Sequence, residues 1–180
     1  SASVLAGTGA GMQRDWYGHS ARHLGDIEDA AHVGGESGRR AVARLDPVKL
    51  KSGTITVVFD PRVAGSLLGH FVGAINGAAI ARKTSFLIDA LGTQLFAPGV
   101  RIGHRSRAFD SEGLPTRVVT LVEDGVPMQW IADSAAARQL GIAPTGHAAR
   151  GVSGAPGAGT SNLHLAPGIV SPAALMADIA

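Results

Sequence analysis

Residues 60–77 constrain this chain more than any other stretch. Asp60-Pro61 opens an apolar run in which Val63, Ala64, Leu67, Leu68, Phe71, Val72 and Ile75 recur at three- and four-residue spacing. That period is helical, and Asp at the N-cap with proline in the first turn suits a helix start. A helix is therefore predicted from Pro61 to about Gly77. Gly65, Gly69, Gly73 and Gly77 also fall four apart, which stacks small residues on one side and invites close approach by another backbone.

The rest of the chain mixes helix and strand signals. Residues 27–45 have helix composition, with Gly34-Gly35 as the point where it would break in two and Pro47 closing it. Residues 54–59 are β-branched and aromatic between Ser52-Gly53 and Asp60-Pro61, and read as a buried strand. Residues 117–123 and 128–132, joined through Asp124-Gly125, read as a hairpin. Asp133 caps a predicted helix through Leu140, which Gly141 ends. Glycines 151, 154, 157 and 159 mark residues 148–160 as a flexible loop before a strand at residues 162–165, and Ser171-Pro172 opens a last helix. The expected fold class is α+β, a largely antiparallel sheet with a few packed helices.

Composition narrows the function classes. The 180 residues are 45% hydrophobic and 17% charged, enough apolar content to bury a core. Sixteen basic against fourteen acidic residues leave a net charge of +2, a small imbalance that gives no reason to expect a nucleic-acid partner. The chain lacks cysteine, so it has neither a disulfide framework nor a thiolate ligand or nucleophile. No apolar stretch reaches the roughly 18 residues of a membrane span before Gly, His or charge interrupts it.

A set of short motifs carries a family resemblance. Gln13-Arg14-Asp15-Trp16, Val57-Val58-Phe59-Asp60-Pro61, Arg82-Lys83-Thr84-Ser85-Phe86-Leu87, Gln94-Leu95-Phe96-Ala97-Pro98-Gly99 and Phe109-Asp110-Ser111-Glu112-Gly113 stand in order. Ser134-Ala135-Ala136-Ala137-Arg138, Thr145-Gly146-His147, Asn162-Leu163 and Pro167-Gly168 continue them. In this the chain resembles the TldD/PmbA family, also called modulators of DNA gyrase. One branch of that family carries H-E-x-x-x-H ahead of Gly-rich turns. Aligning Val72-Gly73 with the Val-Gly of the motif puts Gly69 at its first His, His70 at its Glu and Ala74 at its second His. A zinc site needs about three protein ligands and an open position for water. Gly and Ala coordinate nothing, so the chain is similar to the PmbA/TldE branch, the metal-free partner of the catalytic subunit.

The resemblance implies a fragment of a larger TldD/PmbA-type protein, its central to C-terminal part. Residues 1–50 would be the end of an upstream region with a helix, and residues 51–180 a portion of the C-terminal domain. It further implies a non-catalytic subunit of a heterodimeric cytoplasmic zinc metalloprotease that degrades or trims unfolded peptides. No cofactor is expected in this chain; zinc is expected in a TldD-type partner. Direct nucleic-acid or membrane contact is not expected. The alternatives are a self-sufficient metallopeptidase with ligands outside this segment, and a binding protein that modulates gyrase.

Individual residues leave several readings open. His70 is a lone imidazole, a base in principle but otherwise a structural or interface histidine. His19 and His23 have a spacing that shares a helix face without a third ligand nearby. Gly7 to Gly11 alternate as G-x-G-x-G without a following Lys-Ser/Thr, and read as a turn. Ser66 and Ser85 lack the surroundings of a nucleophile. Arg82 and Lys83 either offset a helix dipole or meet a partner or a peptide carboxylate. Asp110 and Glu112, at alternate positions, either face one side to pair with Arg82 or Lys83 or bind a cation, or belong to a solvated turn. His147 and His164 flank the Gly-rich loop. By resemblance, Asn162, Leu163, His164 and Leu165 are the best candidate for substrate contact, an extended segment able to bind peptide through its backbone; the alternative is an ordinary internal strand of the sheet.

Overall fold

The computed structural model describes residues 1–104 and 107–177. They divide into two compact units, Ser1–Ile55 and Thr56–Ala180.

In the first unit β1 (Ala2–Ala6) and β2 (Gln13–Tyr17) pair antiparallel, with Val4 opposite Asp15, and the glycine string from Gly7 to Gly11 forms the turn between them. Alternation puts Ala2, Val4 and Ala6 on the same face as Asp15, and α1 (Ala30–Val42) packs against this hairpin. Asp29 starts α1 by accepting from the amides of Ala31 and His32. Its buried seam is Val33, Ser37 and Ala41, four residues apart, and the Ser37 hydroxyl lies 3.0 Å from the Ala2 carbonyl and 2.8 Å from that of Val33. The cap and this seam carry the helix unbroken through Gly34-Gly35, where the composition suggests a break. Residues 18–23 are not helical, so His19 and His23 share no helix face; His19 Nδ1 instead accepts from the Glu28 amide at 3.3 Å.

Residues 54–59 correct an expectation. They join no ladder, and each is exposed. β propensity reports fit to a pleated, covered surface, and the described residues offer this segment neither a neighbouring strand nor a cover.

In the second unit α2 (Pro61–Ala74) starts where predicted, with the Asp60 carboxylate accepting from the Arg62 amide. It stops three residues short of Gly77, because Asn76 caps a separate helix, α3 (Gly77–Ala81), by accepting from the Ala78 amide. The joint is stitched to residues 130–132: Gly77 N–H donates to Ile131 O at 2.7 Å, and Ile131 N–H to Ile75 O at 3.2 Å. That use of Ile131 explains why the predicted second hairpin strand at 128–132 is not one.

The hairpin is instead β4 (Val119–Glu123) with β5 (Val126–Pro127). Asp124 and Gly125 both have positive φ, 49° and 80°, as a tight two-residue turn requires. β3 (Ile102–His104) pairs antiparallel with β4 on one side and with β8 (Leu163–Leu165) on the other, giving the sheet order β5-β4-β3-β8. Pro127 sits on an edge strand, where a missing amide costs no ladder bond. The core between helices and sheet gathers Phe71, Ile75, Ile80, Leu87, Ile102, Leu121, Val122, Trp130 and Ile131, with Phe71 edge-on to Phe96 at 5.3 Å.

α4 (Ser134–Leu140) begins with Asp133 accepting from the Ala136 amide and ends at Gly141 in the left-handed region, φ 66°. The Gly-rich stretch is more ordered than its composition suggests: β6 (Ala148–Ala149) and β7 (Gly157–Ala158) pair antiparallel within it. α5 (Pro172–Ala177) follows β8. The fold class is α+β with antiparallel sheets, as expected from the sequence.

Candidate functional site

The glycine stripe of α2 does not make the close contact that its spacing suggests. Among the described residues, a Cβ at Gly65, Gly69 or Gly73 meets no atom within 4 Å beyond its own helix backbone, whereas one at Gly77, on α3, would come 3.0 Å from Ala132 Cβ and 3.1 Å from Ile131 O. Gly69, His70, Gly73 and Ala74 instead border an open hollow with Ala79, Thr84, Ser85 and Phe86. His70 is exposed there. Gly69 and Ala74 offer no donor atom, so the residues present do not fit a zinc ion at this helix.

The two serines bond to backbone. Ser85 Oγ donates to the Ala74 carbonyl at 2.6 Å, and accepts from the Leu87 amide at 3.0 Å, closing the end of α2. Ser66 Oγ donates to Val63 O. Arg82 forms the C-cap of α3 and is exposed, and Lys83, also exposed, turns the chain with φ 58°.

Among the described residues β8 is an edge strand, not an internal one: β3 occupies one side and no described strand follows it in the sheet order. His164 and Leu165 are exposed, and Leu163 is half-buried. The His164 ring lies over Gly103 of β3 so closely that a Cβ there would fall 2.7 Å from its Cε1. Glycine in β3 thus makes room for that ring. Leu165 also lines an apolar groove of about 320 Å³ with Ala64, Leu67, Leu68, Phe71 and Ile102. An edge strand beside an apolar groove can accept an extended peptide through its backbone and seat an apolar side chain. Asn162, with φ 49°, turns the chain into this strand.

Asp110 and Glu112 do not face one side. Asp110 is 6% exposed and accepts amide bonds from Glu112, Leu114 and Ala148, at 2.9, 3.0 and 3.1 Å. Glu112 is exposed and bonds the amide and hydroxyl of Ser134 at the start of α4. Their acceptor capacity serves a turn and a helix start rather than Arg82 or Lys83. The turn was an expected alternative; the burial of Asp110 was not.

Above Asp110 sits a cluster that sequence reasoning missed. His104, 1% exposed, and His147, 3% exposed, lie against each other with ring centroids 4.7 Å apart and planes tilted by 36°. Burial holds His104 down to about 4, with His147 and His164 adding to the effect, and burial also lowers His147 against the opposing pull of the Thr145 carbonyl and Asp110. Both rings are neutral near pH 7. Among the described residues no group of three or more His, Asp or Glu side chains is placed to hold a metal, and no helix is long and apolar enough to cross a membrane.

Comparison with known proteins puts these features in context. Residues 52–180 match the model of the PmbA/TldA metallopeptidase C-terminal domain. The chain is 38% identical over 156 residues to Metalloprotease PmbA of Escherichia coli O157:H7, a match covering 82% of this chain and 35% of that protein. The chain spans about a third of the length of the curated relatives it matches. Among solved structures, a proposed DNA gyrase modulator of Thermotoga maritima superposes with a TM-score of 0.82 at 27% identity, over 97% of this chain and 41% of that one. TldE of Thermococcus kodakarensis shares the fold, with a TM-score of 0.78 at 20% identity, over 97% of this chain and 42% of its own.

Proposed function

The chain belongs to the PmbA/TldD metallopeptidase family, and from that premise we propose that it is part of a PmbA/TldE-like subunit that shapes a peptide-handling site beside a zinc-bearing TldD-type partner. The observation that carries the reading is the composition of α2. Where the catalytic branch has two imidazoles and a carboxylate, this helix has Gly69, His70 and Ala74, one exposed imidazole between two residues without donor atoms. A lone histidine neither fixes a metal nor orients a water on it.

The edge of β8 supports a role in holding substrate. Asn162, Leu163, His164 and Leu165 would pair with an extended, unfolded peptide by backbone hydrogen bonds, while the groove beside Leu165 takes an apolar side chain. Such pairing reads extended shape more than sequence, which suits the clearance or trimming of unfolded chains. Arg82 and Lys83, exposed beside the hollow of α2, are available to a partner subunit or a peptide carboxylate. The partner supplies the zinc, and the heterodimer works in the cytoplasm.

The test is reconstitution with the full-length protein. Alone it should leave an unfolded peptide intact; mixed with a TldD-type subunit it should give zinc-dependent cleavage. Chelator-sensitive hydrolysis by the isolated full-length protein would overturn the reading in favour of a self-sufficient peptidase. A pull-down that retains gyrase and no peptidase subunit would instead favour a gyrase-modulating protein.

A further inference from the structure

The partners of His104 and His147 fix where each ring carries its proton. The Ser161 amide donates to His104 Nε2 at 2.8 Å, so that nitrogen is bare and Nδ1 bears the hydrogen of the neutral ring. His147 Nδ1 lies 2.8 Å from the Thr145 carbonyl and 2.9 Å from Thr145 Oγ1. The carbonyl can only accept, and the Thr145 hydroxyl donates its proton to Ala132 O at 3.0 Å. His147 therefore carries its hydrogen on Nδ1 and leaves Nε2 as an acceptor.

The two remaining ring nitrogens are complementary. His104 Nδ1–H is a buried donor and His147 Nε2 a buried acceptor, and neither has a partner among the described residues. Leaving both unpaired would cost roughly 1–3 kcal/mol each. Both residues line one small cavity, with Arg107, Asp110 and Ser161 among its other walls, and about 20 Å³ of it is open to the centre of a water molecule. One water needs roughly 10–15 Å³ measured that way.

We propose that this cavity is a binding site for a single buried water, which accepts from His104 Nδ1–H and donates to His147 Nε2, and that the bridged pair anchors the entry to β8. The anchor is the Ser161 amide bond, two residues before Leu163, and it exists only while His104 Nε2 is bare. Protonating His104 would set two donors against each other and release Ser161. The same logic disfavours a metal ion. A metal on His104 Nδ1 would push the ring hydrogen onto Nε2, against the Ser161 amide. Among the described residues, the charged and titratable groups facing the pair are Arg107 and Asp110 on the cavity wall and His164 on β8. If β8 receives peptide as proposed above, its grip weakens in acid; the site itself does not depend on that reading.

Nitrogen NMR of the histidine-labelled full chain at neutral pH tests the site directly. Both rings should report the Nδ1–H tautomer, and His104 Hδ1 should show a cross-peak to a long-lived water. His147→Leu removes the acceptor and fills the cavity, and should abolish the cross-peak while Ser161 stays protected from exchange. Lowering the pH to about 4 should reduce the protection factor of the Ser161 amide about tenfold or more in the wild type. An Nε2–H tautomer at His104, no water cross-peak in the wild type, or shifts of both rings on adding Zn²⁺ would each overturn the proposal. Since the wild-type spectra decide it alone, a variant that fails to fold leaves the test intact.

Discussion

Buried, neutral and unequally partnered, His104 makes stability depend on pH in a direction that can be worked out. An unfolded imidazole takes up a proton below about 6.5, whereas the folded ring resists protonation until about 4. The contribution of the neutral ring is therefore complete above about 6.5 and is lost as pH falls toward 4. Denaturant midpoints measured between pH 7 and 4 should decline through that window. His104→Leu should lower stability at pH 7 by about 1–3 kcal/mol, because Ser161 loses its acceptor, and should flatten the decline. A slope unchanged in the variant would assign the effect elsewhere, with His147 the first candidate. Nothing in the sequence announces this pair, since 43 positions separate the rings and neither stands in a ligand-spaced motif. What pairs them is β3 register on one side and the Thr145 turn on the other. Asp110 was legible only as part of a signature. Its three amide bonds predict that Asp110→Ala costs about 2–4 kcal/mol, and Asp110→Asn less, because the amide oxygen can keep the Glu112 and Leu114 bonds. Equal losses in chemical unfolding would mean that the Ala148 bond carries most of the effect.

At the scale of elements, the local signals that proved readable are those whose chemistry is completed within a few residues. Asp60, Asp133 and Gly141 close helix ends with their own neighbours, and Asp124-Gly125 bends its own hairpin. Residues 54–59 were misread because a strand needs a second segment, and no short-range pattern reveals whether one is there. The glycine stripe failed for a related reason: small residues permit close packing but do not supply the neighbour. Gly69→Leu should therefore change the unfolding free energy of this chain by no more than about 1 kcal/mol, and in the stabilising direction, since leucine is the better helix former. Gly77→Leu should cost about 1–3 kcal/mol, because its side chain would enter the contact with Ile131, Ala132 and Ala136. Thermal unfolding of the two variants side by side gives the comparison; equal losses would show that something covers α2 in solution.

For the whole molecule, the proposed function uses two surfaces, the open side of α2 for a partner and the open edge of β8 for a peptide. They are served by different elements, so their roles can be separated. Gly69→Leu, whose Cβ would meet no described atom within 4 Å beyond its own helix backbone, should cost this chain no stability yet weaken assembly with a TldD-type subunit if that subunit approaches along the hollow. Restoring the ligand pattern probes the same surface from the chemical side. Gly69→His, His70→Glu and Ala74→His together would place two imidazoles and a carboxylate on the border of one hollow. Metal affinity should rise, readable as Zn²⁺ uptake by elemental analysis, where the unmodified chain should show no stoichiometric zinc at this helix. Hydrolysis should not follow. Apart from position 70, the residues bordering the hollow carry no imidazole or carboxylate to serve as a third ligand, and a metal-bound imidazole also needs an outer partner to orient it. Ala74 is also nearly buried in the core, so the triple variant should unfold at a lower temperature than the parent. Peptide cleavage by the isolated triple variant, abolished by a chelator, would show that this chain keeps a working metallopeptidase frame around α2 and would overturn the proposal that it belongs to a supporting subunit.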